Sequence, residues 1–133
     1  MRKGVARLRR NARRRRITRT TMDIRQISED YSVSGQISLD EVAAIKAAGF
    51  KSVICNRPDN EQPGQPSHEA IQSAVEAAGL TFRYIPVISG QMTAENVVDQ
   101  AAALDELPGP VFAYCRSGTR SGNLFIAMQQ MKS

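Results

Sequence analysis

Four times along this chain a short apolar run of strand length gives way to a stretch of helical spacing, with only a brief connection between them. That alternation admits few folds, because each strand can pair only with neighbours reached through a helical crossover. Residues 24–27 and 31–33 read as a pair of short strands around the polar turn Ser28-Glu29-Asp30. Ser38 with Glu41 three residues later is a capping box, after which Val42, Ile45 and Ala48 keep helical spacing up to Gly49. Ser52-Val53-Ile54-Cys55 is the next strand, and Ser67 caps a helix bearing Ile71, Ala74, Val75 and Ala78. A strand over 82–87 precedes a helix capped by Thr93 and carrying Val97, Val98, Ala101 and Leu104. Val111-Phe112-Ala113-Tyr114 is the last strand, and the spacing predicts a final helix over 121–131. The fold class is therefore α/β, with a mainly parallel central sheet flanked by helices. Ala47-Ala48-Gly49-Phe50 and Ala77-Ala78-Gly79-Leu80 echo each other at the same point of two successive units.

In sheets of this kind ligands bind beyond the carboxyl ends of the strands. Three segments fall there: 56–59, 88–91 and the loop after Tyr114. The last reads Cys115-Arg116-Ser117-Gly118-Thr119-Arg120-Ser121 and joins strand to helix with no residues to spare. Gly118 permits a sharp turn, and the small Ser117 and Thr119 let successive N–H groups point inward. The following helix adds the partial positive charge of its N-terminus, and two arginines reinforce it. A cysteine in such a loop is favoured as the thiolate, the form that acts as nucleophile. The same loop binds an anionic group and stabilises charge developing on it. Buried structural cysteine is the alternative for Cys115, and Arg116 on its own reads equally well as a surface residue.

Charge is unevenly placed. Ten of the 18 cations precede Met22 with no acid among them, so the rest of the chain sets eight cations against 13 acids. The expected division is a basic, disordered arm over 1–21 and a catalytic domain over 22–133. An arm of this kind binds nucleic acid or an anionic membrane by neutralising phosphates. The preferred reading is instead that Met22 is the true start, since patterned sequence begins at Asp23 and the arm has no aromatic residue for base stacking. Nucleic acid is thus a partner only if the arm is genuine. No apolar run approaches the ~20 residues of a membrane span, and no apolar stretch follows the basic segment as in a signal peptide. No membrane partner and a cytoplasmic location are expected. Two cysteines fit a reducing compartment. One histidine, His68, and no Cys-x-x-Cys pair leave too few ligands for a zinc site, so neither metal nor cofactor is expected. His68 itself reads as a first-turn surface residue.

The Cys115 loop resembles the active loops of cysteine-dependent phosphatases and of rhodanese-like sulfurtransferases. The wider chain resembles the phosphatase-like domain of the bacterial beta-lactamase-hydrolase-like proteins. The resemblance runs from about Met22 through Gly35-Gln36-Ile37-Ser38, Asn56-Arg57-Pro58-Asp59, 61–66, Ile85-Pro86-Val87 and the Cys115 loop. It implies a cysteine-phosphatase-like fold in which Cys115 becomes a phosphocysteine and Arg120 clamps the transferring group. On the same match Ser121 assists thiolate departure, and the backbone amides of Arg116, Ser117, Gly118, Thr119 and Arg120 hold the phosphate oxygens. The implied substrate is a small anionic molecule or a phosphorylated protein, with a fused or separate partner enzyme as a further expectation.

The chain departs from the phosphatase pattern twice. Only four residues separate Cys115 from Arg120, the length of a rhodanese-like loop whose cysteine carries a persulfide. The loop after Ile85-Pro86-Val87 is Ile88-Ser89-Gly90-Gln91-Met92, without the aspartate that phosphatases use to protonate a leaving oxygen. Asp59, beyond the neighbouring strand, is one substitute acid and Glu95 another, while Asp59 reads equally well as a plain loop residue after Pro58. The reading is therefore a phosphatase acting through a phosphocysteine, with sulfur transfer through a Cys115 persulfide, or anion or RNA binding without catalysis, as alternatives. Cys55 ends its strand on the same side of the sheet and reads as core packing or as a resolving thiol.

Overall fold

The computed structural model describes residues 23–132, and the basic arm lies outside them. Its centre is a five-stranded sheet in the order β1-β2-β5-β3-β4. The strands are β1 (Arg25–Ser28), β2 (Tyr31–Ser34), β3 (Ser52–Cys55), β4 (Thr81–Tyr84) and β5 (Val111–Tyr114). Only the β1–β2 hairpin pairs antiparallel; β2–β5, β5–β3 and β3–β4 are all parallel. The sheet is thus mixed but mainly parallel, as the alternation required.

Four helices flank it: α1 (Val42–Ala47), entered through a 3-10 turn at Leu39–Glu41, α2 (His68–Ala77), α3 (Ala94–Glu106) and α4 (Thr119–Lys132). The expected caps are in place. Ser67 Oγ accepts from the N–H of Ala70 at 3.1 Å, and Thr93 and Asn96 exchange a reciprocal pair at 3.0 and 2.9 Å. Each cap satisfies a backbone donor that the first helical turn leaves over. The two echoing segments close their helices alike, with the N–H of Phe50 on the carbonyl of Ile45 and that of Leu80 on Val75.

Strand β4 stops at Tyr84, short of the end of the apolar run, although the N–H groups of Ile85 and Val87 still donate to the carbonyls of Cys55 and Asn56 at 2.9 Å. Helix α4 starts two residues earlier than the apolar spacing predicts, at Thr119, so the helix terminus reaches the Cys115 loop itself. The central strands β3 and β5 are buried along their whole length. Ile45, Val53, Ile71, Val75 and Phe112 pack on one side, and Tyr31, Ile54, Ala103 and Val111 with Ile85 on the other. Burying large apolar side chains at about 1.5–3 kcal/mol each fixes β3 and β5, and with them the loops at their carboxyl ends.

Candidate active site

Cys115 leaves β5 while its N–H still donates to the Ser34 carbonyl of β2 at 3.2 Å. The chain then turns back on itself. The N–H of Gly118 donates to Cys115 Sγ at 3.1 Å, and the sulfur is fully buried. Gly118 has φ +93°, a conformation that L side chains seldom adopt, and an added Cβ would run into the Arg25 guanidinium. That guanidinium, carried on β1, donates to the Ser117 carbonyl at 3.0 Å and so braces the loop from outside. On the other side Gln36 N–H meets the Arg116 carbonyl at 3.2 Å, and a Cβ on Gly35 would stand 2.9 Å from that oxygen. The loop is thus held between β1 and the 35–36 segment. Ser117 Oγ and Thr119 Oγ1 bond each other at 3.0 Å at its exposed rim, and Arg116 faces solvent.

Arg120, in the first turn of α4, is gripped by groups the sequence did not announce. Its Nη1 and Nη2 donate to the two oxygens of Glu61 at 2.7 and 2.9 Å, and Nη1 also donates to the Val87 carbonyl at 2.8 Å. Among the described residues this leaves the Nε–H and one Nη2–H uncommitted, the second planar edge of the guanidinium. Glu61 in turn accepts from Arg57 Nε at 2.9 Å. Arg120 first, and then Arg57, hold the Glu61 carboxyl down at about 2. Arg57 is buried and donates one N–H each to Glu61, Gln36 and Gln62.

Asp59 has both oxygens occupied. Oδ1 accepts from the backbone N–H of His68 at 2.8 Å, and Oδ2 meets His68 Nδ1 at 2.7 Å. The His68 ring lies flat against Tyr84, with centroids 3.6 Å apart. His68 is therefore no plain surface residue: it is half-buried and joins the loop after β3 to β4. Glu95 sits in the first turn of α3 and is exposed.

Ser121 is fully buried and its Oγ donates to Asn56 Oδ1 at 2.9 Å, so its one proton is committed to Asn56. Asn56 Nδ2 reaches Gln100 Oε1 at 2.9 Å, Gln100 Nε2 reaches Tyr31 Oη at 3.1 Å, and Tyr31 Oη donates to the Ser121 carbonyl at 2.7 Å. This closed ring of buried polar groups ties β2, α3 and the end of β3 to the start of α4. Neighbouring residues carry the two halves of the clamp: Asn56 beside Arg57, Ser121 beside Arg120.

Cys55 is buried in the core, its thiol donating to the Arg57 carbonyl at 3.3 Å, and burial pushes it up to about 11. Cys55 and Cys115 are both free thiols. Among the described residues no group of three His, Cys, Asp or Glu side chains is placed to hold a metal ion. None of the described helices is long and apolar enough to cross a membrane.

Residues 23–132 match the model of the phosphatase-like domain of beta-lactamase hydrolase-like proteins. The chain belongs to this family. A curated relative, the beta-lactamase hydrolase-like protein of Agrobacterium fabrum, is 38% identical over 101 residues, covering 76% of this chain and 23% of its own length. The chain thus spans about a quarter of that relative. A candidate phosphatase of Neisseria meningitidis has a similar crystal structure, with 33% identity and a TM-score of 0.71 over 75% of this chain and 71% of its own. The core catalytic domain of the PP-IP phosphatase SIW14 from S. cerevisiae shares the fold at 13% identity, with a TM-score of 0.62 over 80% of this chain and 64% of its own. The fold of this phosphatase-like domain is accordingly that of the cysteine phosphatases, and family and fold together support a phosphatase type of function.

Proposed function

We propose that this domain is an enzyme that hydrolyses a phosphate ester through a covalent phosphocysteine on Cys115. The observation that supports it most is the Gly118 N–H on Cys115 Sγ at the mouth of α4, with the uncommitted edge of Arg120 in the same first turn. In the first step Cys115 Sγ attacks phosphorus, the S–P bond forms, and the P–O bond breaks with its electron pair going to the leaving oxygen. The equatorial oxygens rest on the amides of residues 116–120 and on the Nε–Nη2 edge of Arg120, whose planar fork matches them. In the second step water attacks the same phosphorus and the thiolate departs. Ser121, with its proton on Asn56, serves by holding the first turn of α4 in register rather than by protonating the sulfur. Asp59 acts in this scheme by anchoring His68 and the start of α2.

Sulfur transfer through a Cys115 persulfide is the second reading, favoured by the four residues between Cys115 and Arg120. Intact-mass measurement separates them. After incubation with p-nitrophenyl phosphate and rapid acid quench the protein gains one phosphoryl group, lost in Cys115→Ser. A sulfur adduct from thiosulfate, with no phosphoryl adduct from any ester, would overturn the phosphatase reading.

A further inference from the structure

Beside the Cys115 loop lies a groove of about 320 Å³ whose walls are Gln36, Arg57, Gln62, Gln65 and Arg116, with Pro63 and Pro66 in the turn that closes it. The volume is that of a small-ligand site. Its chemistry is unusual for a seat of an aryl phosphate, since it has two guanidinium groups, three carboxamides, no carboxylate and no aromatic ring. Arg116 immediately follows Cys115, and Gln36 is bonded to the Arg116 carbonyl, so the groove adjoins the reacting loop on its Arg116 side. Arg57 spends three N–H groups on Glu61, Gln36 and Gln62, which leaves two of its five uncommitted among the described residues. Arg116 is exposed at the rim.

A second observation concerns the leaving group. The loop 88–92 has no acid. The carboxyl of Glu61 lies in the grip of two arginines, and both oxygens of Asp59 are taken by His68. Among the described residues neither Glu61 nor Asp59 thus offers a basic alkoxide a free carboxyl, the general acid help that is worth ~10²–10⁴-fold. A leaving group that departs as a stable anion needs none.

Resting on the phosphatase reading above, we propose that the groove receives an anionic leaving group and that the substrate is a phosphoanhydride. Cys115 Sγ attacks the terminal phosphorus, and the bond from that phosphorus to the bridging oxygen breaks. The electron pair stays on the bridging oxygen, and the departing phosphate or diphosphate leaves unprotonated against Arg116 and the free N–H groups of Arg57. Water then cleaves the S–P bond, releases inorganic phosphate and restores the thiolate.

The test uses inorganic tripolyphosphate, glycerol 2-phosphate and p-nitrophenyl phosphate with the full chain. The kcat/KM for tripolyphosphate should exceed that for glycerol 2-phosphate at least 100-fold, and Arg116→Gln should lower the ratio of tripolyphosphate to p-nitrophenyl phosphate about 10-fold. Arg83→Gln removes the same charge far from the loop, where Arg83 pairs with Glu106, and should leave that ratio unchanged. Calorimetry on Cys115→Ser should show tripolyphosphate binding at least 10-fold tighter than inorganic phosphate, with the advantage lost on adding Arg116→Gln. Equal rates on the anhydride and the alkyl ester, or an equal loss in Arg116→Gln and Arg83→Gln, would overturn the groove assignment. Absence of any phosphoenzyme alongside intact tripolyphosphate binding would instead sink the phosphocysteine mechanism and leave the anion groove standing.

Discussion

Glu61 holds one edge of the Arg120 guanidinium by both of its oxygens, at 2.7 and 2.9 Å, and leaves the other edge open. Arginine has three torsions beyond its Cβ, and an unbraced fork would meet an oxyanion in only a fraction of its rotamers. Glu61, backed by Arg57, removes that freedom and makes Glu61 a positioning residue. Glu61→Gln should lower kcat about 10–100-fold with a smaller change in KM, since misplacing a clamp group by an ångström has effects of this size. Phosphatase kinetics on a folded variant check this, and a kcat within a factor of two of wild type would contradict the positioning role.

The same carboxyl gives a stability signature. Its folded value is held down at about 2 by Arg120 and then Arg57, below the ~4.3 of an unfolded glutamate. A depressed acid stabilises the fold where it is ionised in both states, above ~4.3, and that contribution is lost as pH falls toward 2. Thermal midpoints measured from pH 6 down to pH 2.5 should therefore fall more steeply for wild type than for Glu61→Gln. Parallel curves would mean that the ion pair adds nothing to stability.

Arg120→Lys keeps a positive charge but has no planar fork, so it gives up one edge to Glu61 or the other to substrate. Turnover should drop at least 100-fold while the denaturation midpoint moves little. Near-wild-type turnover in a folded Arg120→Lys protein would remove Arg120 from the clamp.

Gly118→Ala places a methyl group at φ +93° and against the Arg25 guanidinium. Left-handed backbone alone costs about 1–2 kcal/mol for a residue with a Cβ. The variant should lose at least that much stability in denaturant titrations and most of its turnover. Adding Arg25→Ala should recover only the part due to collision, because the backbone strain stays.

The frame of the fold was legible because its signals are local. Ser67 and Thr93 cap where a polar residue precedes helical spacing, and β3 and β5 span the two apolar runs read as strands. Cys115, Gly118 and Arg120 are likewise contiguous, so one loop announces them. Glu61, Gln100 and Asn56 are not, and their partners lie 59, 44 and 65 residues away. Gln100 stands three residues after Val97 and four before Leu104, so helical spacing puts it on the apolar face, but its distant partners Asn56 and Tyr31 leave no local sign. Arg57 and Glu61 at i and i+4 carried a faint hint, hidden because they fall in a proline-rich loop rather than a helix. His68 misled for a similar reason: its place in a first helical turn says solvent, while its stacking on Tyr84 depends on a strand that arrives later.

Gln100→Leu should test the buried ring. Leucine fills the space but leaves Asn56 short of a donor and an acceptor and deprives Tyr31 Oη of its donor. Unpaired buried groups cost about 1–3 kcal/mol. The loss should be visible in urea titrations, and turnover should fall as well, because Asn56 Oδ1 is what Ser121 donates to beside Arg120. A variant as stable as wild type would show that the ring contributes no net stability.

The two thiols should part company in alkylation. Cys55 is enclosed by the core on β3, and burial pushes it up to about 11, so near neutral pH it is almost wholly protonated as well as inaccessible. A group raised in this way reacts appreciably only as pH approaches that value or as the fold opens. Cys115, though buried, lies in a loop at the protein surface whose neighbours Arg116 and Ser117 are exposed, and its sulfur accepts the N–H of Gly118 at 3.1 Å. Iodoacetamide at pH 7 should therefore label Cys115 at least 10-fold faster than Cys55, and phosphate should protect Cys115 by filling the loop. Peptide mapping against time and pH measures both rates. Equal labelling of the two cysteines in folded protein, or Cys115 labelling untouched by phosphate, would remove the support for a nucleophile seated in an anion site.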